Sequence, residues 1–280
     1  MLKHKKSKLT YPYTLWCILF IIIPLIIVLF FSFTEKTDTG YAFSLKNYIR
    51  LLNPQYGKIM GRSLKLAGIS TVLCLVLGYP IAYFIAKMPS KRRNFLIMLF
   101  ILPMWMNFLL RTYAWLPILG KNGIVNNFLN SLGFSPISFL YNDGAVLLGM
   151  VYNFIPFMIL PIYTVLTKMN QDLINAASDL GANKYYIFKK ITLPLSLPGV
   201  LSGITMVFMP AVSTFVISNL LGGGQYMLIG NLIETQFTTM GNWNFGSAIS
   251  IIMMIIILLS MLIMNRFSDN NENEGGTGIW

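Results

Sequence analysis

The side chains of this chain with a capacity for chemistry are aromatic rings and carboxamides, not ionised groups. Trp105, Asn107, Tyr113, Trp115, Tyr152, Asn153, Tyr163 and Asn219 recur in or beside long uncharged runs. Ring faces attract cations, so such residues can pass a flexible cation along a weakly binding path that cargo can also leave. Helix packing, or an aromatic belt at a membrane surface, is the competing role for each of them. Covalent chemistry has little to draw on. The one histidine, His4, stands in a lysine-rich tail, and Cys17 and Cys74 fall inside apolar stretches with no metal-ligand spacing around them. The motifs G-x-x-x-x-G-K-[ST], H-E-x-x-H and G-x-S-x-G are absent. A non-catalytic protein without cofactor or metal is expected, and any ATP that drives it must be hydrolysed by another polypeptide.

A second group of residues could make a contact surface. Between Gln171 and Val200 the chain reads QDLINAASDLGANKYYIFKKITLPLSLPGV. Leu173, Ala176, Ala177 and Leu180 share one face at helical spacing, and Gly181 permits the left-handed geometry that ends a helix. A short second helix is expected from Asn183, with Tyr185 and Phe188 projecting together and Pro194 stopping it. Such a small apolar ridge either inserts in the groove of another protein or lies against lipid, and spacing alone favours neither.

The elements that position these residues follow from composition. Of 280 residues, 55% are hydrophobic and 11% charged, too few charges to cover a water-soluble fold of this size. A bilayer is the solvent that fits. A charge at the bilayer centre costs several kcal/mol, so uncharged intervals mark the spans. They run from Leu9 to Thr34, Leu66 to Ala86, Asn94 to Leu110 and Gly144 to Thr167, then from about Ser196 to Leu221 and from Ser247 to Asn265. The expected fold is an all-α integral membrane protein of six helices. The first span is read as a retained anchor, since its uncharged length exceeds the apolar core of a signal peptide. Prolines within or beside the spans, with Pro156 and Pro161 in one of them, point to bent helices around a cavity.

The net charge of +12 raises nucleic acid as a partner, but position excludes it: the Lys and Arg residues edge the apolar runs and form no continuous basic face. Thirteen of the 21 fall in alternate connections that include both tails, which puts both termini in the cytoplasm. No acid lies near the middle of a span, which argues against a carrier coupled to protons or sodium. The organisation expected is a basic tail over 1–8, a first span over 9–34, an external loop over 35–61, a core over 62–265 with an inside loop over 168–195, and a polar tail over 266–280.

The string Ala176-Ala177, Gly181, Ile191, Leu193-Pro194 resembles the "EAA" loop signature of permease subunits in ATP-binding-cassette importers, with Asn175 where the signature has glutamate. LGYPIAYFIAKMP (77–89), LPMWMNFLLRTYAW (102–115), SNLLGGGQYMLIGNLIETQF (218–237) and NWNFGSA (242–248) look like the B-type permeases of spermidine/putrescine importers. The resemblance implies the type I importer permease fold, a heterodimer with a second related permease, two cytoplasmic ATPase subunits and an external substrate-binding protein. It also implies that Asn175, Ala176, Ala177, Asp179, Gly181, Tyr185, Phe188, Leu193 and Pro194 belong to a coupling segment that docks on the ATPase. Candidates for the translocation path are Trp105, Asn107, Tyr113, Tyr152, Asn153 and Asn219. A polyamine is a multiple cation, and these spans offer it rings without carboxylates, so tight recognition is expected in the external protein. A permease for another solute (iron, phosphonate or a sulfate-class anion) is the alternative, and a stand-alone secondary carrier a more distant one. Arg111 is the only basic residue near a span core that an anion could use.

Overall fold

The computed structural model describes residues 11–38, 40–224 and 227–275. The basic tail over 1–8, with His4, lies outside the described residues, as does the end of the polar tail. In chain order the elements are α1 (Tyr11–Ser32), β1 (Thr34–Thr37), β2 (Gly40–Phe43), α2 (Lys46–Leu51), α3 (Pro54–Ala86), α4 (Ser90–Ile101), α5 (Phe108–Tyr113), α6 (Trp115–Leu119), α7 (Ile124–Ser131), α8 (Asp143–Lys168), α9 (Gln171–Asp179), α10 (Lys184–Ser213), α11 (Val216–Leu221), α12 (Ile229–Thr238) and α13 (Trp243–Gly275). Among the described residues, five helices are long and apolar enough to cross a membrane: α1, α3, α8, α10 and the Trp243–Met264 part of α13. The segments Ser90–Trp105 and Phe108–Ser131 make a sixth span only as a pair bent by 97°.

That bend replaces the single continuous span expected from Asn94 to Leu110. Pro103 sits in a 3₁₀ turn, Leu102–Trp105, and Met106 is extended at ψ 149°. Asn107 then caps a new helix, its side-chain oxygen accepting from the amides of Leu109 (2.8 Å) and Leu110 (3.3 Å). Uncharged length shows where lipid is tolerated but is silent on helix direction, which proline and an N-cap decide here.

Two other spans begin or end elsewhere than expected. Helix α3 starts at Pro54, so the expected external loop over 35–61 contains a hairpin, α2 and the opening of a long helix. Helix α10 starts at Lys184 and stops at Ser213, not at Leu221. Pro194 does not stop it. A wide π turn, Phe188–Thr192, precedes that proline, and the Leu193 amide bonds back to the Phe188 carbonyl. The same device precedes Pro24 in α1, where Ile18–Ile22 is a π turn closed by the Ile23 amide on the Ile18 carbonyl. A looser turn accommodates the ring and the carbonyl that lacks its donor, so the helix bends without breaking.

The described chain forms two compact units. One comprises the described residues within 11–59 and 232–258. Its hairpin pairs Thr34 with Phe43 and Thr37 with Gly40. Lys46 bonds Glu35 at 2.7 Å, and that ammonium donor holds the Glu35 carboxyl below its usual range. The Asn244 side-chain amide donates to the Phe31 (3.1 Å) and Thr34 (2.7 Å) carbonyls, joining α13 to the end of α1. Tyr56 packs edge-on against the buried Phe245 at 5.2 Å, with the Arg50 guanidinium 4.2 Å over that ring.

The other unit, the described residues within 60–231 and 259–275, holds the residues of interest. Its core is the α8–α10 pair, where small residues let backbones approach. A side chain at Gly199 would meet the Pro161 carbonyl oxygen at 2.9 Å, and one at Gly203 the Met158 sulfur at 2.7 Å. Gly78 brings α3 to Met158 in the same way (3.1 Å), and Gly149 brings α8 to Leu221 and Ile217 (2.5 and 2.8 Å).

Candidate functional site

The loop over 168–195 folds as two short helical pieces around one glycine. Asn170 caps α9, accepting from the Asp172 amide at 2.9 Å. At the other end Gly181 takes φ +82°, the Ala182 amide bonds the Ala177 carbonyl (3.0 Å), and the Gly181 amide bonds the Ser178 carbonyl (3.0 Å). These paired bonds form a Schellman cap, which requires a residue free to be left-handed four positions after Ala177. Asn183 caps the next piece, its side chain accepting from the Tyr186 amide at 2.8 Å. The chain then passes through the π turn into α10 without interruption.

This arrangement separates residues that spacing had grouped. Asn175, Ala176, Asp179 and Gly181 are exposed, and Ala177 is half-buried. Leu180 is 88% exposed and Tyr185 69% exposed, so a protruding apolar edge exists. Phe188 does not project with Tyr185. It turns inward and meets the rings of Tyr79 (5.9 Å) and Tyr83 (5.4 Å) edge-on, anchoring the π turn to α3. Tyr79 adds a 2.8 Å hydrogen bond with Ser196. Leu193 and Pro194 lie exposed at the foot of α10.

The path candidates divide in a similar way. Trp105 is 81% exposed on its 3₁₀ turn, and Tyr113 is exposed. The Asn107 side-chain oxygen is occupied by its capping bonds. Trp115 and Tyr152 meet edge-on at 5.3 Å, and Tyr163 is half-buried. Asn153 is 1% exposed; its amide nitrogen donates to the Gly149 carbonyl (2.9 Å) and the Thr112 hydroxyl (3.4 Å), and its oxygen is buried without a partner among the described residues. Asn219 is exposed, and its oxygen accepts from the Asn231 side chain at 2.6 Å. No group of three or more His, Cys, Asp or Glu among the described residues could hold a metal ion.

Residues 78–272 match the family described as "Binding-protein-dependent transport system inner membrane component". The chain belongs to that family. It is therefore a multi-pass inner-membrane transport component, and curated relatives extend the match. It is 41% identical over 258 residues to the spermidine/putrescine transport system permease protein PotB of Escherichia coli (strain K12), covering 90% of this chain and 94% of that protein. The Haemophilus influenzae protein of the same name is 40% identical, with 90% of each chain covered. The inner membrane ABC transporter permease protein YdcU of Escherichia coli (strain K12) is 30% identical over 85% of this chain and 80% of its own. Among solved structures, a bacterial ABC transporter involved in the import of the acidic polysaccharide alginate superposes with TM-score 0.81 at 19% identity, covering 95% of this chain and 96% of that one. The MetNI methionine ABC transporter gives 0.57 at 17% identity over 78% of this chain and 98% of that one. The fold is thus that of ABC importer permeases.

Within this inner-membrane component, residues the sequence did not single out organise the candidate path. Asn231, 4% exposed, accepts from the Ser218 hydroxyl (2.6 Å) and the Leu228 amide (3.1 Å), and donates to the Phe215 carbonyl (3.0 Å) and to Asn219. It ties the start of α12 into the gap between α10 and α11, where Thr214 is extended. Ser63 accepts from the Ile229 amide at 2.8 Å beside it. A buried carboxamide with four partners is visible in sequence only as one more asparagine. Arg111 is 8% exposed, and its Nε has no partner among the described residues. Arg62 and Asp143 are joined at 2.6 Å, linking the openings of α3 and α8.

Proposed function

We propose that the chain is a permease subunit of an ATP-driven polyamine importer. In this reading it forms half of a translocation path with a second, related permease and binds spermidine or putrescine weakly, both termini lying in the cytoplasm. The protruding segment from Asn175 to Tyr185 docks on a separate ATPase, two copies of which serve the pair, and an external binding protein delivers cargo. ATP is hydrolysed by the partner, not by this chain. The observation that carries the proposal is the 41% identity, over nearly the full length of both chains, to a protein named for spermidine and putrescine transport. The exposed Leu180 and Tyr185 around a left-handed Gly181 support the docking role, because they present apolar area that none of the described residues covers. The path candidates Trp105, Tyr113, Tyr152 and Asn219 remain exposed, as rings and amides that meet a cation must.

Uptake of labelled spermidine and putrescine is the direct test. A strain lacking this chain should lose energised uptake and regain it on complementation; undiminished uptake of both would overturn the assignment. The docking role has its own test in Gly181→Trp. A side chain there enters open space, with no atom within 4 Å of its Cβ, but φ +82° costs an L residue about 1–2 kcal/mol. Membrane insertion and yield should stay normal while co-purification of the ATPase falls about tenfold, the ratio that about 1.4 kcal/mol produces. Full transport by this variant would refute the role of the segment.

A further inference from the structure

A recess of about 490 Å³ opens where α3 and α8 end and α4 begins, lined by Tyr83, Lys87, Arg93, Thr167, Gln171 and Thr192 among others. Its charged lining is Lys87 and Arg93, with no carboxylate among the lining residues. Lys87 leans 4.2 Å over the Tyr83 ring and donates to the Tyr83 hydroxyl. The Nε of Arg93 is buried with no hydrogen-bond partner among the described residues. Leaving a buried guanidinium N–H unpaired costs free energy that a bound anion would recover.

A second recess of about 290 Å³ shares Met169 with the first and is lined by Val165, Leu173 and Leu195 together with Lys168 and Asn170. A cationic recess beside one whose walls are mainly aliphatic, at the level where spans end, fits an amphiphile better than a free ion. We propose that the pair is a binding site for an anionic phospholipid. The headgroup phosphate accepts from Arg93 and Lys87, with Tyr83, Thr167 and Gln171 available as polar neighbours, and part of one acyl chain occupies the recess at Leu173 and Leu195. Because α9 contributes Gln171 and Leu173, a lipid seated here would brace the docking segment against the membrane. This site does not depend on the identity of the cargo.

The test uses the full chain purified in detergent with equal amounts of phosphatidylglycerol and phosphatidylcholine of the same acyl chains, and counts retained lipid by native mass spectrometry. Phosphatidylglycerol should be retained about fivefold over phosphatidylcholine for each basic contact, at roughly 1 kcal/mol per residue. Arg93→Gln should lower the ratio about fivefold, Lys87→Gln should do the same if Arg93→Gln fails to fold, and the double variant should bring it near one. Arg92→Gln, exposed and outside the lining, should leave it unchanged. Millimolar inorganic phosphate should not displace the lipid. Equal retention of both lipids, a preference that survives loss of Arg93 and Lys87, or displacement by phosphate alone would each overturn the proposal.

Discussion

Gly199→Leu should leave little folded protein in the membrane. Built on the present backbone, its Cβ would lie 2.9 Å from the Pro161 carbonyl oxygen, 3.0 Å from Val165 Cγ2 and 3.1 Å from the Ile162 Cα. Two of these three atoms are backbone, so no rotamer change relieves the contact. Helices α8 and α10 must separate instead, and their contact is the core of the larger unit. Overpacking of this kind costs about 1–3 kcal/mol, and more where backbone must move. In lipid the loss is not offset elsewhere, since close van der Waals packing is a main source of helix association there. Gly68→Leu, the same substitution where no atom lies within 4 Å of the Cβ, is the matched control. Thermal unfolding of the purified proteins should place Gly199→Leu well below both the native chain and Gly68→Leu, and equal melting of the two variants would show that the helices do not meet this closely.

Asn231→Leu should be the second most damaging change, through a different mechanism. The Leu228 amide, in a residue 1% exposed, would lose its Asn231 acceptor, and the buried Ser218 hydroxyl its 2.6 Å partner. Phe215 keeps a bond from the Asn219 amide at 2.9 Å, so its carbonyl is not orphaned. The Ser218 hydroxyl can still donate to the Phe215 carbonyl at 3.0 Å, so one buried amide is stranded, at about 1–3 kcal/mol. Asn231→Asp separates geometry from polarity. A carboxylate would still accept from Leu228 and Ser218, but it would face the Asn219 oxygen and the Phe215 carbonyl with no proton to donate. Burial, with the Phe215 carbonyl and the Asn219 oxygen facing the charge, raises the pKa of an introduced acid, and its neutral form restores one donation. The stability of that variant should therefore rise as pH falls from 7 toward 5, while Asn231→Leu shows no such recovery. A pH-independent Asn231→Asp would mean the amide nitrogen is not the atom that matters.

How much was legible beforehand depends on whether the property is local. The end of α1 and both ends of α8 were read to within about two residues, because a charge in lipid is costly wherever it occurs. The Schellman cap was legible too, since the interval from Ala177 to Gly181 needs no tertiary information. Phe188 was misread. Its spacing from Tyr185 puts the two on one helical face, but that holds only for a regular helix, and the π turn beginning at Phe188 rotates it toward Tyr79 and Tyr83. The third and fifth spans were misjudged because hydropathy is a sum along the chain and carries no direction.

By itself the sequence determined a membrane solvent, the approximate spans, the absence of a nucleotide-hydrolysing motif and a capped, exposed segment bearing the importer signature. Those properties follow from composition, from the cost of burying charge and from short-range hydrogen bonding. Only the tertiary structure decided that the chain turns through 97° between Trp105 and Phe108, that α10 breaks at Thr214 and that Asn231 fills the break. Such features depend on which backbone groups meet across long separations in the chain. A carbonyl left free by a bend is satisfied by whatever donor the fold brings to it, and no local pattern names that donor.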